Sequence, residues 1–592
     1  MSNKVAVLRG VIDGHRDSMG DYIGNLWHTF NSQRQPWLNE QKELRNFLFA
    51  TDTRTTSNAA LPWKNSTTLP KLTQIRDNLH ANYLSALFPN DEWVKWEAYS
   101  LDEKEQVKAQ AIEAYIANKA RQSNLRTTVS RLIYDFIDDG NAFATTEYVN
   151  ETKEIDGEIV TTYSGPRLCR ISPKDIVFDP TAADFKHSPK IIRSIRTIGE
   201  LMTMAMDDAD NQYLKDALSK RMKMRELAGQ YTIEDFDKAC GYMVDGFGSL
   251  HEYYQSNYVE ILEFRGDYYD PEKDILKRDM RIVVADRASV LLMEQDEGWV
   301  KNAPIEHAGW RLRPDNLWAM GPLNNLVGMQ YRIDHLENLK ADVFDFIAVP
   351  VLKIIGDVDD FDWKPGEQIH IDSEQSDVQM LVPDTTALNA DTQISILEER
   401  MELYAGAPKN AMGIRTPGEK TAFEVQALDN AAGRIFQEKI TSFEINLLEP
   451  SLNNMLADSR RNMNSADIVR VADADLGIEV VMSITKEDIT SNGKLRPIGA
   501  RHYAAQAQMI QNLQQLYSSQ IGAMIAPHTS AKQMSKLVED ILGLRRFELF
   551  QDNVALFEQA ETQRMMNSLQ QQVDVEQQVP VEGPSLTQES EI

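Results

Sequence analysis

Cysteine is almost missing from this sequence, since Cys169 and Cys240 are the only two among 592 residues. That scarcity excludes a disulfide framework and a cysteine-based metal site, and it fits a reducing cytoplasm. Basic residues are also in short supply: 62 Lys and Arg against 90 Asp and Glu give a net charge of −28. Such a chain repels phosphate at long range, so any contact with nucleic acid has to be local.

Long hydrophobic runs are absent as well. The longest apolar stretch, 346–355, contains a lysine and a proline, and the first twenty residues turn polar before an apolar region of signal-peptide length develops. We therefore expect no membrane span and no export signal. Hydrophobic residues still make up 42% of the chain, which is enough to bury real cores. The length predicts about two to four structural regions.

Motifs for catalysis or metal binding are missing or broken. The ten histidines never fall at HxxxH or HExxH spacing, and no GxSxG is present. The segment 413–421, GIRTPGEKT, misses the phosphate-loop pattern by one residue, because Glu419 stands between the second glycine and Lys420. The aspartates at 357–362 lack the glycine and the terminal glutamate of a calcium loop. We therefore expect no enzyme activity, no metal and no cofactor.

Hydrophobic periodicity predicts an α+β fold that is predominantly α-helical. Apolar residues three to four apart indicate helices at 68–88, 102–121 and 125–138, and a Met-rich helical stretch at 198–228. Alternating residues around Asp156-Gly157 predict a β-hairpin. The segment 258–294 predicts a β-meander with turns at Asp270-Pro271 and near 285–287, and strand character returns at 469–486.

From 322 to 347 the pattern is that of one long helix, with seven apolar residues on one face: Leu326, Met329, Ile333, Leu336, Leu339, Val343 and Phe346. Residues 356–384 hold nine acids against one lysine, around a Lys364-Pro365-Gly366 turn, and predict a small acidic β insertion. A second helix is predicted at 388–404. The two helices thus form the legs of a hairpin with the acidic insertion at its tip.

The segment 406–420 is predicted to be a loop, because it contains five Gly or Pro residues. Its charge is +2, from Lys409, Arg415 and Lys420 against Glu419. Thr421 and Glu424 then form a capping box, which starts a helix that we expect to run towards Pro450. Residues 498–566 are predicted to be helical, and the acidic, Gln-rich tail 571–592 to be disordered.

A second basic cluster, 220–225, offers a possible contact with nucleic acid. On a helix of an acidic protein, such a cluster is more often a solvated face or an ion-pair strip between subunits, and we favour that interpretation.

The order of helix, small insertion, helix, Gly-Pro basic loop and long capped helix resembles the portal proteins of tailed bacteriophages. Several strings are similar to theirs: LCRISPKDIVFDPTA at 168–182, Gly406-Ala-Pro408, Thr421-Ala-Phe-Glu424-Val and Glu449-Pro450. Pro70-Lys-Leu-Thr-Gln-Ile and Leu87-Phe88-Pro89 resemble the early wing helices of portals from short-tailed phages. The resemblance covers roughly residues 60–500, and its specificity lies in the order of the strings.

The resemblance implies a portal-like subunit that closes into a ring, with twelve copies, at one capsid vertex. It assigns 1–50 to an N-terminal helical arm, 51–320 to the wing, 321–347 and 387–404 to the stem helices, and 348–386 to the clip. It assigns 405–420 to the tunnel loop, 421–500 to the tunnel helix and wing return, 501–570 to the crown and 571–592 to the tail. The location implied is the virion, with assembly in the host cytoplasm.

The same resemblance implies partners and contact residues. Double-stranded DNA would pass the tunnel loop without sequence readout, touching Lys409, Asn410, Arg415, Thr416 and Lys420. The clip would dock the terminase and then the tail adaptor or connector protein. Its expected docking residues are Asp357, Asp359, Asp360, Asp362, Trp363, Glu367, Asp372 and Glu374. Major capsid and scaffolding proteins would be further partners, and the ring would nucleate head assembly.

Two other classes of protein stay open at this point. One is an ATP-driven DNA-packaging motor, which would need the broken phosphate loop to work and would show ATP hydrolysis. The other is a head-tail adaptor or scaffold without a channel, which would never close into rings.

Overall fold

The computed structural model describes residues 6–7, 16–52, 56, 65–88, 93–99, 103–155, 158–207, 211–230, 250–270, 274–295, 304–349, 351–356, 377–381, 388–406, 435–463, 467–472 and 479–497. In the described part of the chain the fold is mixed α+β, about 52% helical and about 30% strand, which confirms the predicted class. The chain divides into two compact units, one of residues 1–467 and 483–501 and the other of 468–482 and 502–592.

The helices that the structure describes are α1 (Arg16–Gln33), α2 (Gln35–Leu48), α3 (Lys71–Leu87), α4 (Glu103–Gln122), α5 (Leu125–Asp138), α6 (Ile198–Asp207), α7 (Gln212–Gln230), α8 (Leu250–Gln255), α9 (Val327–Ala348), α10 (Ala390–Ala405) and α11 (Glu449–Asn462). The helices predicted at 68–88, 102–121 and 125–138 are confirmed as α3, α4 and α5. The Met-rich stretch forms two helices, α6 and α7, where one helical stretch was predicted.

The strands of the described residues are β1 (Ala6–Val7), β2 (Val94–Ala98), β3 (Asn141–Ile155), β4 (Glu158–Ile171), β5 (Ile176–Phe178), β6 (Lys190–Thr197), β7 (Tyr258–Asp270), β8 (Ile275–Ala285), β9 (Ser289–Gln295), β10 (Glu306–Gly309), β11 (Arg311–Arg313), β12 (Asn316–Met320), β13 (Val351–Ile355), β14 (Asp377–Leu381), β15 (Asp467–Ala472), β16 (Glu479–Ile484) and β17 (Gly493–Pro497). The predicted hairpin is confirmed as β3 and β4, which pair antiparallel from Phe143↔Ile171 to Ile155↔Glu158. The predicted β-meander is confirmed as β7, β8 and β9.

These strands form small sheets. The largest has the order β1-β9-β8-β7-β6-β5, a second has the order β10-β3-β4, and the other described strands make two-stranded pairs. The neighbours in the meander are antiparallel, as its short turns require. In the second unit, the described residues belong to the pair of β15 and β16.

Two of the cores that lie against these sheets include residues of the first two helices. Helix α1 buries Ile23 and Trp27 on the six-stranded sheet. It lies very close to the β8–β9 turn, because a Cβ on Gly20 would be 2.1 Å from the Ala288 carbonyl oxygen, and only glycine permits that distance. Helix α2 contributes Trp37 to a second core, where its ring lies 4.5 Å from that of Trp318. The residues interpreted as an N-terminal arm therefore include helices that complete both cores.

The sequence predicts a helix that runs towards Pro450, and in the structure the helix continues past that proline. Helical residues 435–443 lead into a π-helical turn, Glu444–Leu448, and α11 continues from there to Asn462. Pro450 lies in the first turn of α11, where a missing N–H is tolerated. The π-helical turn changes the hydrogen-bond pattern just before the proline, so the chain stays helical without the clash that ends an ordinary helix.

The basic cluster 220–225 is partly structural. Arg221 is buried on α7, and its guanidinium donates to the carbonyl oxygens of Tyr253 at 2.7 Å and Tyr258 at 2.8 Å. Its Cζ also lies 4.5 Å from the centre of the Tyr253 ring. This arginine holds α7 against α8 and β7, so it is not available for a nucleic-acid contact.

The end of α5 packs on the chain just before α9. Gly140 has a φ of +71°, and a Cβ there would lie 2.4 Å from the Gly321 nitrogen. Three carboxylates lie at this end of α5. Arg170 contacts Asp135 bidentately, at 2.5 and 2.6 Å, and Arg76 contacts Asp138 at 2.7 and 2.8 Å. Burial raises the pKa of the third, Asp139, to about 7, and the neighbouring carboxylates of Asp135 and Asp138 add to the rise.

Asp139 therefore gives a pH-dependent contribution to stability. Its pKa in the folded protein lies above the ordinary value of 3.8, so the stabilisation is complete below about pH 4 and is lost as the pH rises through about 7. Asp139→Asn is expected to raise the free energy of unfolding at pH 8 by about 1–2 kcal/mol, since the side chain is partly exposed. Thermal unfolding at pH 4.5 and pH 8 measures this difference.

The control for this pH dependence is Asp315→Asn, on the exposed turn between β11 and β12. That variant should change the melting temperature equally at both pH values. An Asp139→Asn variant whose gain is the same at pH 4.5 and pH 8 would contradict the assignment.

Candidate functional site: the helical hairpin

The residues singled out in the sequence lie outside the described residues. This holds for the loop residues Lys409, Asn410, Arg415, Thr416 and Lys420, for the capping pair Thr421 and Glu424, and for the acidic residues Asp357, Asp359, Asp360, Asp362, Trp363, Glu367, Asp372 and Glu374. What the structure does describe is the helical hairpin that carries both segments, made of α9, β13, β14 and α10.

The predicted pair of helices around an insertion is confirmed. Helix α9 leads into β13, which pairs antiparallel with β14 from Val351↔Leu381 to Ile355↔Asp377, and α10 follows. Lys340 of α9 joins the two helices, because its Nζ lies 2.7 Å from Asp391 Oδ1 and 2.9 Å from Glu337 Oε2. The hydrogen bond that Lys340 donates to Asp391 raises the pKa of Lys340, and the one it donates to Glu337 acts in the same direction.

The polar side of α9 is the buried one. Gln330, Asp334 and Asn338 recur every fourth residue, so they lie on one face, and their exposures are 2%, 0% and 0%. Against them lies an extended segment, 65–70, which we call the strap. The side chains of α9 satisfy the main chain of the strap much as a neighbouring strand would.

The hydrogen bonds follow the strap residue by residue. Gln330 Nε2 donates to the Leu69 carbonyl oxygen at 2.5 Å, and the Leu69 N–H donates to Asp334 Oδ1 at 3.1 Å. Two residues earlier, Asn338 Oδ1 accepts from the Thr67 N–H at 2.8 Å, and Asn338 Nδ2 donates to the Thr67 carbonyl oxygen at 2.6 Å. We call Gln330, Asp334 and Asn338 the polar ladder.

Asp334 is the charged member of the polar ladder. Burial raises its pKa, while hydrogen bonds from the Leu69 N–H, the Thr68 hydroxyl and Gln330 act against the rise. Because these donors surround the carboxylate, the strap and α9 hold each other in one register.

A buried ion pair fixes the base of the hairpin. The strap ends at α3, whose first residue, Lys71, places its Nζ 2.6 Å from Glu402 Oε1 of α10. The two side chains are 8% and 4% exposed. Because both side chains are shielded from water, each charge is stabilised mainly by the other. The pair therefore holds α3 against α10.

The apolar side of the hairpin is exposed. On α9, Leu339 is 37% and Phe346 is 49% exposed, and on α10 Leu403 is 59% exposed. Both strands of the β13–β14 pair are exposed on most positions. Of the 28 large hydrophobic residues that are exposed in the described part of the chain, thirteen lie between 339 and 404. Exposed apolar residues concentrated in one part of a fold mark an interaction site.

The predicted apolar face of α9 is only partly buried. Leu326 and Ile333 are buried, Met329, Leu336 and Val343 are half-buried, and Leu339 and Phe346 are exposed. The last four along the chain are three, four and three residues apart, a heptad-like spacing, and they lie away from the polar ladder. The predicted face therefore exists, but only part of it packs inside the subunit.

The described residues on either side of the basic segment, Gly406 and Ile435, lie close together. Gly406 ends α10 with a φ of +74°, in the left-handed conformation that glycine adopts without strain. A Cβ at Gly406 would lie 3.3 Å from Ile435 Cγ2. The residues on either side of 407–434, Gly406 and Ile435, are therefore neighbours in the fold.

Sequence reasoning missed the polar ladder, the strap and the Lys71–Glu402 pair. The only signal in the sequence is the regular spacing of Gln330, Asp334 and Asn338, and a polar residue at every fourth position is also typical of a solvated helix face. The partners of these residues come from a segment about 260 residues earlier in the chain, at 65–71.

Two further features of the described residues bear on function. They contain no cluster of three or more His, Cys, Asp or Glu side chains arranged to bind a metal ion. No helix among them combines the length and apolar character that crossing a bilayer requires.

In comparisons with known proteins, no family model matches the chain, and no curated protein sequence matches it significantly.

Proposed function

We propose that this chain is a portal protein, the subunit of a ring at one capsid vertex that conducts double-stranded DNA during packaging and ejection. The observation that carries the proposal is that the helical hairpin buries its polar ladder and exposes its apolar side. Exposed apolar surface of this extent is unfavourable in a monomer. A ring of identical copies covers it, because the α9 face of one copy meets the α10 face of the next in a contact that closes on itself.

The β13–β14 pair supports the same assembly. A two-stranded pair with no further strand is marginally stable in water, and its Val351, Ile354 and Leu381 side chains are all more than half exposed. Neighbouring copies in a ring supply the apolar cover that this pair lacks.

The charges of the chain suit a DNA channel. A net charge of −28 keeps phosphate from adhering to the wall, while the basic segment 406–420, which follows α10 in the chain, carries a local charge of +2. Repeated around a ring, that segment forms a positive collar whose contacts with the DNA backbone are brief and independent of sequence. The acidic clip suits partners that exchange, the terminase first and the tail adaptor later, because charge complementarity sets encounter rate and specificity more than tightness.

The proposal predicts the effect of removing the positive collar. Replacing Lys409, Arg415 and Lys420 by Ala should leave ring assembly unchanged, because the exposed apolar residues of α9, α10 and the β13–β14 pair are kept. The amount of DNA packaged per particle should fall, since the backbone contacts in the collar are lost. Native mass of the purified variant and DNA content of assembled particles measure the two effects. Rings that package a normal amount of DNA would contradict the role of the loop.

The matched control is the replacement of Lys215, Lys220 and Lys223 by Ala, three exposed lysines of α7. That variant removes the same number of charges from a different surface, and it should package a normal amount of DNA. Hydrolysis of ATP by the wild-type chain, lost on Lys420→Ala, would instead favour a packaging motor.

A further inference from the structure

Helices α3 and α5 carry a continuous row of arginine and aromatic side chains on their outer side. Arg76 of α3 lies over Tyr134 of α5, with 4.2 Å from its Cζ to the ring centre, and over Phe49 at the end of α2, with 5.6 Å. Arg45 lies 5.9 Å from the same Phe49 ring. At the far end of the two helices, Arg126 lies 5.9 Å from the Phe88 ring.

The row is straight, because α3 and α5 run in opposite directions side by side. Arg76 meets Tyr134 near one end, His80 meets Ser130 at 2.9 Å in the middle, and Phe88 meets Arg126 at the other end. The twelve residues from Arg76 to Phe88 correspond to ~18 Å of helix. Arg131 projects from the same side, one turn before Tyr134. We call Arg45, Phe49, Arg76, Arg126, Arg131 and Tyr134 the arginine strip.

The strip has a surplus of positive charge. Two acids, Asp77 and Asp138, pair with Arg76, at 3.4 Å and 2.7 Å. Arg45, Arg126 and Arg131 are exposed, and in the part of the chain that the structure describes their side chains make no hydrogen bond or ion pair. Burial lowers the pKa of His80, so at neutral pH the arginines provide the charge.

The composition of the strip favours a protein partner. Its free cations are all arginine, whose planar guanidinium is weakly hydrated and binds carboxylates through two parallel hydrogen bonds. Arginine and aromatic residues dominate the energetics of protein interfaces. Phe49 is 62% exposed, and a partner that packs on its ring removes that apolar surface from water.

Duplex DNA fits the strip less well than protein does. The Tyr134 ring is stacked with His80, 3.8 Å away, and Arg76 lies over it, so this ring has no face for a base. The bases of a duplex are stacked inside the helix, and Phe49 would meet only sugar and phosphate. A protein surface with carboxylates around an apolar centre satisfies both the arginines and the phenyl ring.

We infer that the arginine strip binds a carboxylate-rich surface of a second copy of this chain. Charge complementarity supports this occupant, since each copy has 90 acidic against 62 basic residues and therefore a surface dominated by carboxylates. The inference rests on the proposed assembly of identical copies and adds to it a second contact, separate from the helical hairpin. Because this contact is electrostatic, it weakens with salt, whereas the apolar hairpin contact does not.

A double charge reversal tests the inference. Arg126→Glu with Arg131→Glu changes two exposed side chains, so the variant should fold, which circular dichroism checks. Sedimentation velocity of the full chain at 50 and 500 mM salt should show an apparent dissociation constant at least about tenfold weaker than wild type at low salt. The difference should shrink at high salt. Arg131→Gln alone should move the constant in the same direction by a smaller factor.

The matched control is Arg311→Glu with Arg313→Glu, on the exposed strand β11. It makes the same change of charge away from the strip, and it should associate like wild type. Equal association of both double variants would overturn the inference while leaving the ring proposal intact. Open oligomers or dimers that need the strip would support the inference and contradict the ring.

Fluorescence anisotropy with a labelled 30-base-pair duplex and a 30-base single strand tests whether the strip binds nucleic acid instead of protein. The strip reversal and the β11 control should bind these nucleic acids equally. A strip variant that associates normally but loses nucleic-acid binding, compared with the control, would overturn the inference and assign the strip to nucleic acid.

Discussion

Replacing Leu339 and Phe346 of α9 by glutamate is expected to prevent copies of the chain from associating. Both side chains belong to the exposed apolar stripe, at 37% and 49% exposure, so the subunit itself should fold normally. In a ring, each glutamate would have to be buried at every contact without a partner, and that costs several kcal/mol per contact. Light scattering should therefore report 67.3 kDa monomers.

The control for the hairpin variant is Met204→Glu with Met206→Glu on α6, two side chains that are 48% and 79% exposed and lie outside the hairpin. This variant introduces the same charge at two exposed apolar residues, and it should assemble like wild type. A Leu339→Glu/Phe346→Glu chain that still forms the full assembly would show that the apolar stripe does not join copies.

Removing Lys71 alone should destabilise the base of the hairpin strongly. In Lys71→Met, the Glu402 carboxylate, which is 4% exposed, loses the ammonium group that lies 2.6 Å away. Breaking a buried pair by removing one partner costs about 3–5 kcal/mol. Hydrogen exchange of the amides of α10 should show this loss as faster local opening, while the amides of the six-stranded sheet keep their protection.

The double variant Lys71→Met/Glu402→Leu provides the matched test. It removes both charges and fills a similar volume with apolar atoms, so the protection of α10 should return to within about 1 kcal/mol of wild type. If the α10 amides exchange at the same rate in the single variant and the double variant, the Lys71–Glu402 pair does not fix the hairpin.

The helices of this fold could be predicted because their own residues determine them. In α3, Leu72, Ile75, Leu79, Tyr83 and Leu87 recur at helical spacing, and all of them are buried. The β3–β4 hairpin likewise follows from local alternation and a two-residue turn. Pro450 misled the prediction because a π-helical turn, which has no clear sequence signal, precedes it.

The site was harder to predict, because its contacts join distant segments. Nothing near Asn338 in the sequence shows that its partner is Thr67, and nothing near Lys71 shows that its partner is Glu402. The exposure of Leu339 could not be predicted either. An apolar helix face is normally interpreted as a core face, and only the fold shows that the polar ladder packs inside in its place. The arginine strip combines three helices, so no single stretch of sequence contains it.

The most direct test of the central claim is the mass of the native particle, measured by light scattering together with negative-stain images of the same fraction. The account predicts closed rings with a central hole and a mass of about 0.8 MDa, which is twelve times 67.3 kDa. A particle that stays at 67.3 kDa at the highest attainable concentration would contradict it, because the apolar side of the hairpin would then be stable in water without a partner.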